Sequence, residues 1–401
     1  MRDSLRNILK KIETVCCTAD CWTSFHRSFL GVTVHWINPE SLARESAILA
    51  CKRLTGRHTY DVLAAALQDV FREFKITNKI LVTVTDNASN FIKAFRVFGQ
   101  EPCEDDLEVD LVDVSANLDD PPATSADFIC LPNHQRCAAH TLNLVANVDA
   151  REASHDASYS RCSSKTLSKC RALWNRQQHS TVSSEIISRK LGRLLIVPCA
   201  TRWNSLYDAL SFLSGIDRAV LDGISDELAL PRLQDEEVLF IEEYTKVMKP
   251  LAKALDILQG EKYMYMGALL PVIWSVLKAL DEMTPLKVCG ALVDALKQGV
   301  SSRFADQLEN KDLLVASATH PRFRLAWVDW GKRDSSWLEV KEEFEKLVSS
   351  ESSDVRPAQS SEDEDFFGVL FDGTVSDELQ QWKLTMIACT MPDFEVVSCQ
   401  T

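Results

Sequence analysis

The sequence predicts an α/β fold, a mixed sheet with flanking helices, interrupted by an all-α region, and three observations carry that prediction. Short β-branched and aromatic runs dominate the first hundred residues. An amphipathic stretch of helical period sits between two of those runs. From about residue 206 onward, apolar residues recur at helical spacing.

Taken in order, Ile12–Thr18 and Phe29–Trp36 (FLGVTVHW) read as strands, the second closing at the turn signal Asn38–Pro39. Ser46–Cys51 (SAILAC) is a third short apolar run. Thr59–Phe74 then sets Val62, Leu63, Ala66, Val70, Phe71 and Phe74 on one helical face, with Thr59 placed to cap it. Lys79–Thr85 (KILVTVT) is nearly continuous, as in a strand buried on both faces. Residues 1–100 thus form the first part of an α/β core. Residues 101–130 hold ten acidic residues, no Lys or Arg, and the pair Pro121–Pro122, which predicts a solvated acidic loop. Residues 131–210 continue the core, with a polar, Ser- and Arg-rich interval over Arg151–Arg171. In the helical region, 211–345, Val238, Ile241, Val247, Met248, Leu251, Leu255 and Leu258 form a stripe that Pro250 is expected to kink, and Pro271–Leu280 and Val288–Phe304 continue in that style. Residues 346–401 read as an acidic, partly disordered tail, most clearly over Ser349–Asp365.

At 401 residues, 46% hydrophobic and 25% charged, the chain has room for two or three domains at roughly 150 residues each. No stretch reaches the roughly 18 apolar residues a membrane-spanning helix needs, and the N-terminus lacks the apolar segment of a secretory signal, so a soluble intracellular protein without a membrane partner is expected. Thirteen scattered cysteines, an odd number, fit reduced and mostly buried thiols better than a disulfide scaffold. The net charge of −14 is uneven. Residues 1–100 carry 14 Lys and Arg against 9 Asp and Glu, and residues 131–220 carry 12 against 6, whereas residues 221–401 carry 18 against 33. Phosphate binding depends on local positive patches, and these two segments supply them.

Two aspartates stand at expected strand ends, Asp20 in CCTADCWTS and Asp86 in LVTVTDNASN. Carboxylates on adjacent strands can converge on Mg²⁺ and serve phosphoryl transfer. Equally, Asp20 can cap a turn and Asp86-Asn87 can form an Asx-type turn. Cys137 and His140, in RCAAH, make half of a zinc ligand set, and no second pair follows at finger spacing, so zinc is not expected.

The string TADCWTS with the strand LGVTVHWI, then VTVTDNASNFIKAF, RCAAHTLNLVA and ATRWNSLYDAL, resembles the hAT-superfamily DNA transposases and the BED-zinc-finger proteins derived from them. The four blocks stand in the family's order, and LQGEKYMYMGALLPVIWSVLKAL and ATHPRFRLAW resemble its helical insertion domain, so the likeness spans about residues 14–330. It implies an RNase H-like mixed sheet with flanking helices, interrupted by an all-α insertion domain. It implies further that Asp20 and Asp86 are the first two acids of a Mg²⁺-binding triad. Trp22, and the Arg202–Trp203 pair, would lie beside DNA, where an indole stacks on an extruded base and a guanidinium pairs with phosphate. His140 would lie near the active site, within reach of a phosphate.

The family's third acid is a glutamate in a C-terminal block of the type SAxSER-FS, and its zinc finger precedes the first strand; neither block occurs here. The resemblance therefore implies a transposase-derived chain shortened at both ends, nuclear, engaging DNA weakly, doubtful as an oligomer, and without the ancestral Mg²⁺-dependent strand cleavage and transfer. A second expectation, from the acidity of residues 221–401, is a protein-interaction or transcription-regulatory scaffold that binds partners through its helices and no DNA. A third is a competent nuclease drawing on another acid, such as those in Glu362–Asp365 or Glu378.

Overall fold

A computed structural model describes residues 2–41, 43–99, 129–199, 204–260, 264–283, 285–320, 322–328 and 333–348. The chain divides into two compact units, Met1–Thr141 and a second beginning at Leu142. The acidic stretch 101–128, Arg202, Trp203 and the tail from residue 349 lie outside the described residues.

In the first unit, α1 (Arg2–Lys11) precedes β1 (Val15–Ser24), β2 (Arg27–Ile37) and β3 (Arg44–Leu54). Helix α2 (Tyr60–Glu73) leads to β4 (Ile80–Thr85), and α3 (Ser89–Phe98), β5 (His134–Arg136) and the first turn of α4 (Ala138–Asn147), whose remainder belongs to the second unit, complete the order. The strands form one sheet in the order β3-β2-β1-β4-β5. β1–β2 and β2–β3 pair antiparallel, β1–β4 and β4–β5 parallel. The sheet is thus mixed, and the directions bring the carboxyl ends of β1, β3, β4 and β5 to one edge.

Side-chain alternation decides what each face does. Cys17, Ala19, Val32 and Val34 are buried in one cluster with Leu63, Leu67 and Phe71 of α2 and Phe91 and Phe95 of α3. The other face carries the alternate residues Thr18, Asp20 and Trp22 of β1 beside Thr33, Gly31 and Phe29 of β2. There the Thr18 and Thr33 hydroxyls lie 2.6 Å apart, and Thr33 is 2.9 Å from His35 Nε2.

The periodicity argument missed α1. Its helix is held by charge: Arg6 reaches the Glu73 carboxylate and carbonyl, and Lys79 Nζ donates to the carbonyls of Leu9, Lys10 and Ile12, supplying the orphan acceptors of the helix C-terminus. β1 also starts later than expected, at Val15, and continues through Asp20 to Ser24. Asp20 is therefore not at a strand end, because the polar half of TADCWTS alternates outward along a half-exposed strand.

The second unit is helical, with α5 (Ala157–His179), α6 (Thr181–Leu191), α7 (Ser205–Ser214), α8 (Arg218–Glu227), α9 (Asp235–Gln259), α10 (Leu269–Asp281), α11 (Gly290–Arg303), α12 (Ala305–Glu309), α13 (Lys311–Thr319) and α14 (Arg333–Val348). The interval Arg151–Arg171, read as polar, is mostly helix. Its buried stripe joins Tyr159 to Cys162, Ser163, Thr166 and Cys170, and the last four are small, weakly polar residues that a hydrophobic pattern does not register. Helix α9 runs through Pro250 and buries the expected stripe except Val238, which is half-buried. Lys165 and Lys169 pair with the buried Glu237 at its start. Among the described residues no helix is long and apolar enough to cross a membrane.

Candidate functional site

Ala19 of β1 is paired with Thr85 of β4 in parallel register, so the residues that follow, Asp20 within β1 and Asp86 just after β4, stand side by side where β4 ends. Partial burial pushes the Asp20 carboxyl above the usual carboxylate range, the negative charge of Asp86 adds to that rise, and a backbone hydrogen bond at Cys21 and the charge of His140 oppose it. The same two carboxylates, added to burial, push the Cys21 thiol up to about 12. His140, in the first turn of α4, is thus brought to the two acids.

The loop carrying Asp86 is braced on both sides. Asp86 Oδ1 accepts from the Ala88 N–H at 3.2 Å, an Asx turn leading into α3, so the turn role and the place beside Asp20 coexist. Asn87 Nδ2 donates to Thr141 Oγ1 at 3.0 Å, and that hydroxyl donates to the Cys137 carbonyl. The Cys137 N–H donates to the Thr85 carbonyl at 2.7 Å. The Thr85 hydroxyl donates to the Asp86 carbonyl at 2.8 Å and lies 2.9 Å from His134 Nε2. A hydroxyl has one proton, so His134 donates from Nε2 to Thr85 as the neutral tautomer. Burial, with the charge of Arg136, holds His134 down at about 4, and its ring stacks on Phe95 at 4.3 Å between centroids.

Trp22 is 42% exposed on the Asp20 face and stacks on Phe29 across the hairpin at 5.7 Å between centroids. Cys137 immediately precedes α4, and His140 lies in its first turn. Among the described residues, no group of three or more His, Cys, Asp or Glu is placed to hold a metal ion. Asp20 and Asp86 are hard oxygen donors of the kind Mg²⁺ takes with phosphate and water, but as two carboxylates they do not fit a pair of ions. Of the residues singled out in the sequence, Asp20, Trp22, Asp86 and His140 belong to the first unit, and Arg202 and Trp203 lie outside the described residues.

Several parts of this site were not read from the sequence. Thr85, Asn87, His134 and Thr141 form the brace, and no local pattern marks them. Gly31 was legible: a glycine inside the strand FLGVTVHW signals close approach of another group, and that group is Trp22, whose Cζ3 would sit 2.8 Å from a Cβ at residue 31. The basic rim was also missed as a unit. Arg27, Arg53, Arg57 and Arg136 are exposed and belong to, or closely follow, the strand ends at the carboxyl edge.

A family model described as the ZBED1 RNase-like domain matches residues 18–107. That stretch contains Asp20, Trp22 and Asp86, and the match together with the five-stranded mixed sheet identifies the first unit as RNase H-like. A 147-residue stretch is 31% identical to the "Putative AC transposase" of Zea mays, covering 36% of this chain and 16% of the maize protein. The "Putative AC9 transposase" of the same plant matches at 31% over 147 residues, 15% of its length. A 94-residue stretch is 34% identical to the "Putative transcriptional regulator tpeD" of Talaromyces stipitatus, covering 22% of this chain and 11% of that protein. The matched region thus spans about a sixth or less of each relative's length.

Proposed function

The chain is a relative of the hAT transposases with a ZBED1-type RNase-like domain, and from that premise we propose that it is a nuclear, DNA-associated protein whose RNase H-like site holds the DNA backbone without cutting it. The observation that carries this reading is the closeness of Asp20 and Asp86, whose charges act on each other, in a sheet whose carboxyl edge also carries the exposed Arg27, Arg53, Arg57 and Arg136. The rim arginines attract phosphate by charge and by bidentate hydrogen bonding. His140 adds a donor beside the two acids. Asp20 and Asp86 would hold one Mg²⁺ jointly with a phosphate oxygen, which neutralises backbone charge there. The second ion, which would stabilise the leaving oxygen, has no matching donors among the described residues, and no cleavage step is assigned. A role in regulation rather than transposition accords with the relative named as a transcriptional regulator.

Fluorescence anisotropy of the full chain on duplex DNA between about 50 and 200 mM salt tests the binding, because neutralising several phosphates makes log K fall steeply with log salt. No binding at the low-salt end would overturn the reading in favour of a protein-interaction scaffold, which the excess of acidic residues in 221–401 favours. Nicking with Mg²⁺ tests the second half: robust nicking that Asp20→Ala abolishes would show a competent nuclease.

A further inference from the structure

The β1–β2 turn presents an aromatic ring that nothing within the fold explains. Ser24 pairs with Arg27, leaving Phe25 and His26 as a two-residue loop, with φ of +47° and +58°. Loops of this kind need positive φ at both positions and favour Asn-Gly, because a Cβ resists that conformation. Here a phenylalanine and a histidine occupy them, and Phe25 is 94% exposed. The hairpin beneath is stiffened by the Trp22–Phe29 stack and by the Thr23 and Ser28 hydroxyls 2.9 Å apart.

Around it the chemistry is cationic. Arg27 follows the tip, and Arg53 lies directly across from Phe29, on the face that also carries Trp22 and Asp20. One row therefore reads Trp22, Phe29, Arg53, and the adjacent row holds Asp20 and Gly31. An aromatic pair flanked by arginines suits a single nucleic-acid strand, whose bases stack on rings while its phosphates meet the cations. A lipid surface would call for more than one protruding apolar side chain, and an acidic protein surface would not use the stacking row.

We propose that the β1–β2 hairpin is a stacking wedge, in which Phe25 stacks on an unpaired base of a DNA strand whose backbone runs from Asp20 and Asp86 along β1 past Trp22 toward the hairpin tip. The proposal rests on the DNA-binding reading above and deepens it. From Asp20 to Ser24 the strand rises about 13 Å at about 3.3 Å per residue.

The test uses the full chain and single-stranded DNA oligonucleotides carrying 2-aminopurine at one position each. The unaltered protein is expected to quench the probe at one favoured position. Phe25→Ala should abolish that quenching and weaken binding about tenfold, and Phe25→Trp should restore both. Because Phe25 is 94% exposed, the alanine variant should melt with the parent, and circular dichroism checks it. If the parent binds and Phe25→Ala quenches and binds equally, the wedge is refuted while DNA binding stands. If the parent does not bind at low salt, the DNA-binding reading fails and the wedge with it.

Discussion

The indole of Trp22 lies over Gly31 so closely that a Cβ at residue 31 would meet its Cζ3 at 2.8 Å and its Cη2 at 3.2 Å. Gly31 is paired with Asp20. The missing side chain therefore makes room for the indole on the row that carries the carboxylate. Replacing Gly31 by Ala forces the indole aside. Removing a strand glycine gains on the order of 0.5–1 kcal/mol in backbone entropy, which offsets the lost Trp22 packing, so global stability should change little. Near-UV circular dichroism should differ from the parent as it does for Trp22→Ala, and DNA affinity should fall in both. A Gly31→Ala protein with unchanged dichroism and affinity would show that the close approach has no role.

Asp20 is destabilised by its neighbour. Its carboxyl is raised above its unfolded value by burial and by Asp86, so the folded state binds a proton more readily than the unfolded one. Stability is then greatest while Asp20 is protonated and falls as pH rises through the interval between the unfolded and the raised folded values. Asp20→Asn should raise the melting temperature at neutral pH and flatten that part of the pH profile. Asp86→Asn should capture part of the same gain, so the double variant gains less than the sum of the two. A lower melting temperature for Asp20→Asn at pH 7 would contradict the repulsion.

How much of this was legible in the sequence depends on which residues carry it. β2 and α2 declare themselves because their buried residues are large and periodic, as in FLGVTVHW; the apolar run KILVTVT locates β4, but the fully buried residues there are Thr83 and Thr85 and Leu81 is exposed, so it is not the strand buried on both faces that the run predicts. Helix α5 does not, because Cys162, Ser163, Thr166 and Cys170 bury small, weakly polar side chains. Helix α1 is hidden for another reason: contacts about seventy residues away, from Lys79 and Glu73, hold it. The two acids could be named from their motifs, yet their adjacency needs the parallel β1–β4 register, which is a long-range fact. The brace from Thr85 through His134 and the basic rim are assembled only when the strand ends meet.

His134 gives the first unit an acid-labile lock. It is neutral in the fold, held at about 4, against about 6.5 when unfolded. Being depressed, it must shed its proton to fold, so the unfolded state binds more protons between those values and stability falls as pH drops from about 6.5 to about 4. The loss is on the order of 2–3 kcal/mol for a mostly buried ring. His134→Phe should remove that slope, keep the stack on Phe95 and lose the hydrogen bond to Thr85. Urea unfolding at several pH values reads it out. An unchanged slope would place the acid sensitivity elsewhere.

The second unit offers a test independent of nucleic acid. The buried Glu243 carboxylate of α9 accepts the backbone N–H groups of Lys287, Val288 and Cys289, each at 2.9 Å, and so orders the turn that starts α11. Hydrogen bonds to a charged group contribute about 1.5–3 kcal/mol each, and leaving buried donors unpaired costs a similar amount. Glu243→Ala removes the acceptor from three such donors, of which the Cys289 N–H is fully buried, while Lys287 is exposed and Val288 half-buried. We expect a loss of about 2–3 kcal/mol, dominated by the buried Cys289 donor, because water can reach the Lys287 and Val288 donors once the carboxylate is gone. Glu243→Gln keeps one acceptor oxygen and should lose less. Hydrogen exchange supplies the local readout: the amides of Lys287, Val288 and Cys289 should exchange far faster in the alanine variant than in the parent, with the glutamine variant between them. Equal exchange in all three proteins would mean that the turn is held by its own packing and that Glu243 contributes nothing to it.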